Sequence, residues 1–334
     1  MRALLLLGAG AAAVLSGCGA ASSASGCEPL PAPARVSQTG CYSDTPKTEP
    51  VDGAIPYELN APAAGDGAIK RRWFVLPEGA TVGFHPVDSW EMPVGTILVK
   101  EFFRESTSEP AARFPVETRF LVRVARNGVA ADWNGSTYRW RDDGRDADLV
   151  PPEGLLATVR GKDHLFPSHA DCARCHNPVA GGPLGLQTPN LHRDGQIEAL
   201  AARGIFGASA PAHVDVLAAM PATEDPATPV YERLRSWLHT NCAHCHREGA
   251  EMGSRAWGPW NVPLAETDLC GSSYDGTPFV APGDPDGSRL LQRVLATDAL
   301  MPPIATLATD PLGVDLLTGW IASLQTCSVE ETNP

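Results

Sequence analysis

From residue 48 to about 160, apolar and polar residues alternate in short runs broken by Gly, Pro and Asn, the pattern of an all-β unit. The clearest run sets Val116, Thr118, Phe120, Val122 and Val124 on one face and Glu117, Arg119 and Arg123 on the other. It ends in Asn127-Gly128, which predicts a hairpin turn. Lys70 to Leu76, Thr96 to Phe103 and Thr137 to Trp140 supply further strands, and together they predict a β-sandwich or barrel-like unit. Trp73, Trp90, Trp133, Tyr138 and Trp140 are expected in its core, with a ligand groove as the alternative.

After residue 161 the period changes from two to that of a helix. Thr228-Pro229 predicts a helix start, and Tyr231, Leu234, Trp237 and Leu238 follow on one face. A second helix is expected over Asp286 to Val294. A last one begins at Asp310-Pro311, with Leu316, Leu317, Trp320, Ile321 and Leu324 on one side.

The N-terminus carries Arg2, an apolar stretch from Ala3 to Val14, and small residues after it, which reads as an export signal too short to span a bilayer. Leu15-Ser16-Gly17-Cys18 resembles a bacterial lipobox, so Cys18 is the expected lipidation site and membrane anchor. Gly19 after that cysteine implies outer-membrane sorting in a host with two membranes, facing the periplasm. The resulting partition is 1–17 signal peptide, 18–47 tether, 48–160 all-β domain, 161–226 first motif segment and 227–327 helical domain.

Charge narrows the function classes. The 334 residues carry a formal charge of -13, which repels phosphate and argues against a nucleic-acid role. Of nine cysteines, Cys18 is assigned to lipid and Cys172, Cys175, Cys242 and Cys245 to two C-x-x-C-H motifs. Cys27, Cys41, Cys270 and Cys327 remain. Proximity favours disulfides Cys27–Cys41 and Cys270–Cys327, with four thiols as the alternative.

Cys172-Ala173-Arg174-Cys175-His176 and Cys242-Ala243-His244-Cys245-His246 match the attachment sequence of c-type haem. Two thiols at this spacing reach the two vinyl groups of one porphyrin, and the adjacent histidine, His176 or His246, ligates the iron. Zinc is the competing reading. At the second motif Met301-Pro302-Pro303 offers Met301 as distal ligand, and the order of parts is that of a mainly α, class I cytochrome c-like haem domain. Arg293 is either a propionate partner or a surface charge. At the first motif Met220, one of His164, His169, His192 and His213, or an open position completes the iron. Two covalently bound haem c groups are therefore expected.

The chain resembles an uncharacterised family of bacterial exported dihaem c-type cytochromes. The resemblance runs from Tyr57-Glu58-Leu59-Asn60 to Cys327 and includes Lys70-Arg71-Arg72-Trp73, Pro93-Val94-Gly95-Thr96, Glu117-Thr118-Arg119 and Tyr138-Arg139-Trp140. It continues through Leu184-Gly185-Leu186, Asn241 with the second motif, and Pro282-Gly283-Asp284-Pro285. Asn190-Leu191-His192 departs from the Gln-Leu-Asn often found in the family. The resemblance implies dihaem electron transfer, with a periplasmic redox partner such as a dehydrogenase, and supplies no substrate. A dihaem peroxidase with an open first haem and His192 as its distal group is the alternative.

Overall fold

The computed structural model describes residues 26–44, 49–106, 112–126, 129–250, 258–267, 269–298, 300–304 and 306–326. The signal, Cys18, the Asn127-Gly128 turn and Cys327 lie outside them.

The dominant element is one antiparallel sheet with its strands in chain order: β1 (Ile55–Pro56), β2 (Ile69–Val75), β3 (Ile97–Glu105), β4 (Arg113–Arg126), β5 (Val129–Trp140) and β6 (Ala147–Leu149). It is an open meander, neither a closed barrel nor two sheets face to face. A small hairpin follows, β7 (Leu155–Val159) with β8 (Lys162–Phe166), burying Val159 and Phe166 against Val116 and Val150.

The sheet is covered on both faces, so its alternation separates two cores rather than core from water. On one face Trp73, Val99 and Phe120 stand in register and pack on Cys27, Val36, Cys41 and Tyr42. Residues 26–44, expected as tether, are thus part of the folded body, clipped by a Cys27–Cys41 disulfide. Glu101 is buried on this face and accepts hydrogen bonds from Arg71, the Trp73 indole and the Tyr42 hydroxyl.

On the other face Phe74, Leu98 and Leu121 are in register and pack under Leu186, Leu191, Ile197 and Phe206. That cover is built from α1 (His169–Cys175), α2 (Thr188–Leu191) and α3 (Gln196–Ala202) with the loops between them. Trp73, Trp90, Trp133, Tyr138 and Trp140 are all buried in these two cores.

The C-terminal part holds α4 (Val230–Cys242), the short pair β9 (Ser273–Tyr274) and β10 (Thr277–Pro278), α5 (Arg289–Leu295) and α6 (Pro311–Ser323). Leu234, Trp237, Leu238, Leu291, Leu317 and Trp320 form its core. Trp237 fixes the crossing of α4 and α6: its indole N–H donates to Asp310 Oδ2 at 2.6 Å, and Gly313 leaves the space its ring fills. The expected helices form as α4, α5 and α6, with α5 starting at Arg289 rather than at Asp286. The expected fold class does not. The chain is mostly β, and only α4 and α6 exceed seven residues, so a sandwich or barrel followed by a mainly α class I cytochrome c-like region is not what the sequence builds.

Among the described residues no helix is long and apolar enough to cross a membrane. Cys270 is disulfide-bonded, and Cys327, its expected partner, lies outside the described residues.

Candidate functional site

The two C-x-x-C-H segments, seventy residues apart in sequence, meet at one cavity of about 230 Å³ between the sheet, α1 and the end of α4. Cys172, Cys175, His176, His244 and Cys245 all line it. The first segment is fixed from below. Ser168 caps α1 reciprocally with Asp171, its hydroxyl accepting from the Asp171 N–H while the Asp171 carboxylate accepts from the Ser168 N–H. The helix then lies directly on β5 because Gly135 has no side chain there; a Cβ would come within 2.8 Å of the Cys172 sulfur. His176 turns back through a 2.8 Å hydrogen bond between its Nδ1 and the Gly182 carbonyl.

The second segment is carried by α4, which is moored to the first half of the chain. The Ala64 N–H donates to Asn241 Oδ1 at 2.8 Å, and Asn241 Nδ2 donates to the Trp237 carbonyl. His239 Nε2 lies 2.8 Å from Gln187 Oε1 and its Nδ1 accepts from the Trp260 N–H. Arg247 reaches across to the Val179 carbonyl, past the first motif. Apart from the local Asn241–Trp237 bond these contacts are long-range, and they bring Cys245 close enough to Cys175 to raise the cost of ionising the Cys175 thiol.

The four motif cysteines stand as half-buried thiols. Burial, reinforced by the neighbouring Cys245 and Cys172, pushes the Cys175 thiol up to about 12. Burial and Cys245 do the same to Cys242, and burial raises Cys172. Burial also holds the imidazoles neutral: His176 and His244 fall to about 4 and His239 to about 3. The site is therefore one of protonated thiols and uncharged imidazoles at neutral pH.

The remaining wall is the sheet, and it is basic. Arg72, Lys100 and Arg119 stand side by side in register on β2, β3 and β4, all facing the cavity. Arg119 alone has a close acid. Its Nε and Nη2 donate to Glu117 at 2.5 and 2.9 Å, and Glu117, fully buried, also holds His164 Nε2 at 2.8 Å. His164 in turn contacts Arg104 at 3.0 Å.

The expected ligand sets are not assembled. Met220 is 1 % exposed, held by its backbone N–H on the Pro189 carbonyl, and does not line the cavity. Met301 does not line it either: its N–H donates to the Arg293 carbonyl, and the next residues, Pro302 and Pro303, reach the wall instead. His246 and Arg293 are likewise off the wall. Of the other histidines, His213 is exposed, His169 bonds the Gly135 carbonyl, His164 is committed to Glu117, and His192 is not on the wall.

Among the described residues no group of three or more His, Cys, Asp or Glu side chains converges on a point where a metal ion could sit. The residues thus do not fit two covalently bound haem c groups. That expectation is withdrawn, together with the iron-ligand roles of His176, His246, Met301 and Met220, the propionate role of Arg293, and the peroxidase alternative that rested on an open haem. Zinc at these motifs fails on the same donor geometry.

The sequence marks the four motif cysteines as two separate haem attachment sites, whereas Cys172, Cys175 and Cys245 line one cavity. The basic wall went unread, although Lys70-Arg71-Arg72 and Glu117-Thr118-Arg119 were visible as charged positions inside strands. Compared with known proteins, the chain matches no family, no curated protein and no solved structure.

Proposed function

We propose that the chain is an electron-transfer protein of the bacterial cell envelope, exported as a lipoprotein, whose redox centre is the single cavity shared by the two C-x-x-C-H segments. The observation that carries this reading is the convergence of both segments on one cavity, which Cys172, Cys175 and Cys245 all line, with Cys245 near enough to raise the Cys175 thiol. Two cysteine pairs brought together by several long-range hydrogen bonds are an expensive arrangement for a fold to keep without a use.

The state of the thiols narrows the chemistry. Cysteines that exchange disulfides with other proteins are exposed and ionise easily. Here the thiols are half-buried, with Cys175 and Cys242 raised to about 12, so attack on a partner's disulfide is suppressed. The couple is instead the Cys172 and Cys175 dithiol against their disulfide, in which two electrons and two protons from the redox partner open the S–S bond and their release re-forms it. The acidic chain suits a cationic redox partner on the periplasmic side, such as a dehydrogenase delivering electrons.

Potentiometric titration of the full mature chain tests the proposal. A reversible couple that disappears in the Cys172→Ala/Cys175→Ala variant supports it. A chain with no couple in the accessible range, or one indifferent to those substitutions, contradicts it.

A further inference from the structure

The basic wall has a cost that the redox reading does not account for. Arg72, Lys100 and Arg119 are direct cross-strand neighbours on one face, and like charges placed opposite each other destabilise a sheet. Glu117 offsets Arg119. Arg72 is only 6 % exposed, and its Nη2 is buried with no hydrogen-bond partner among the described residues. Lys100 forms no ion pair or hydrogen bond among them either. Its ammonium lies over the Phe102 ring, whose centre is 5.0 Å from Nζ and on which Arg119 also stacks at 4.5 Å. Lys70, the next cation on β2, is occupied by the Ala63 carbonyl. Asp171, also on the cavity wall, is engaged by Ser168 at the cap of α1.

A buried, unpaired guanidinium beside an unpaired ammonium is among the more destabilising arrangements a core can hold. Both groups open on the cavity. Around them the wall is apolar, formed by Leu59, Leu98, Phe102, Leu121 and Leu184. A planar guanidinium next to a point charge suits a carboxylate, and the apolar surround suits a hydrocarbon body.

We infer that this wall binds a small amphipathic organic acid, its carboxylate between Arg72 and Lys100 and its apolar body against Leu98, Phe102 and Leu121. A bare inorganic anion would leave that apolar surface unused. The inference shares the cavity with the proposed redox centre but stands on the cation row alone, so the two fail separately: anion affinity is read without any electron transfer.

The test is calorimetry on the full mature chain with phenylacetate, its uncharged isostere phenylacetamide, and inorganic phosphate. Phenylacetate is expected to bind at least about tenfold more tightly than either comparator, a difference of about 1.4 kcal/mol. Arg72→Met and Lys100→Met are each expected to lose about tenfold or more of that affinity. The Lys100→Met chain is further expected to melt at a higher temperature than wild type, because it removes an opposed like charge; a purely structural lysine would lower the melting point. Arg141→Gln, which breaks an exposed pair with Asp148 elsewhere on the sheet, leaves affinity unchanged. Binding of phenylacetamide or phosphate as tight as that of phenylacetate overturns the inference, as does undiminished phenylacetate binding in the folded Lys100→Met chain.

Discussion

Replacing Glu117 with Gln isolates the one acid that neutralises the basic wall. Glu117 is fully buried on β4 and accepts two hydrogen bonds from Arg119 and one from His164. Burial alone would raise its carboxyl, but Arg119 and His164 outweigh it and hold the group below the ordinary glutamate range. The carboxylate is therefore the form the fold selects. Removing one partner of a buried ion pair costs about 3–5 kcal/mol, mostly by stranding the other charge. The Arg119 side chain keeps 22 % of its exposure, so the lower end, about 3 kcal/mol, is expected for Glu117→Gln.

The sign with pH follows from linkage. A carboxyl depressed in the fold contributes stability above its unfolded value, near 4.5, and loses it as pH falls through the folded value. The variant should accordingly lose part of the acid limb of the wild-type stability profile. Urea unfolding followed by tryptophan fluorescence at a series of pH values between 7 and 3 measures both effects. Adding Arg119→Met to Glu117→Gln should recover part of the loss, since the stranded charge is then gone. A single variant within about 1 kcal/mol of wild type, or with an unchanged acid limb, refutes the reasoning.

Other parts of the structure respond in their own ways. Asn241→Ala leaves the Ala64 N–H without its acceptor and should cost about 1–3 kcal/mol in urea unfolding, loosening α4 from the sheet; an unchanged midpoint would show that this mooring is idle. Replacing the Cys27–Cys41 disulfide, which closes a 14-residue separation, by Cys27→Ser/Cys41→Ser should destabilise the chain by about 3 kcal/mol, read as the fall in urea midpoint with the Cys270 disulfide left intact. His239 is held neutral, lowered to about 3 mainly by burial, whereas an unfolded histidine takes up its proton near 6.5. Stability it contributes at neutral pH is thus lost progressively as pH falls from about 6.5 toward about 3, on the order of 2 kcal/mol of it by pH 5, and His239→Gln should flatten that part of the profile.

Legibility in the sequence followed the physics of each signal. The Val116 to Val124 alternation gave its strand because period two survives wherever successive side chains face different surroundings. What alternation cannot reveal is whether the second face meets water or another core. Here Trp73, Val99 and Phe120 on one face and Phe74, Leu98 and Leu121 on the other are all covered, which hid the contribution of residues 26–44. Trp237, Leu317 and Trp320 were readable as helix stripes, but stripes do not state how small the helical share of the molecule is.

The cysteine pairs were conspicuous as spacings, and spacing is local. That Cys172, Cys175 and Cys245 share one wall depends on Asn241 reaching Ala64 and Arg247 reaching Val179, contacts that no window on the sequence contains. The same holds for Met220 and Met301, whose distance from the motifs in sequence says nothing of the core and loop positions they occupy. Arg72, Lys100 and Arg119 form a row only once strand register is known.

Interdependence of the two motifs tests the central claim most directly. The full chain carrying Cys245→Ala should show a shifted midpoint potential for the couple that depends on Cys172 and Cys175, because all of these groups sit on one wall. A couple whose potential is unmoved by Cys245→Ala would mean two independent centres and would contradict the account.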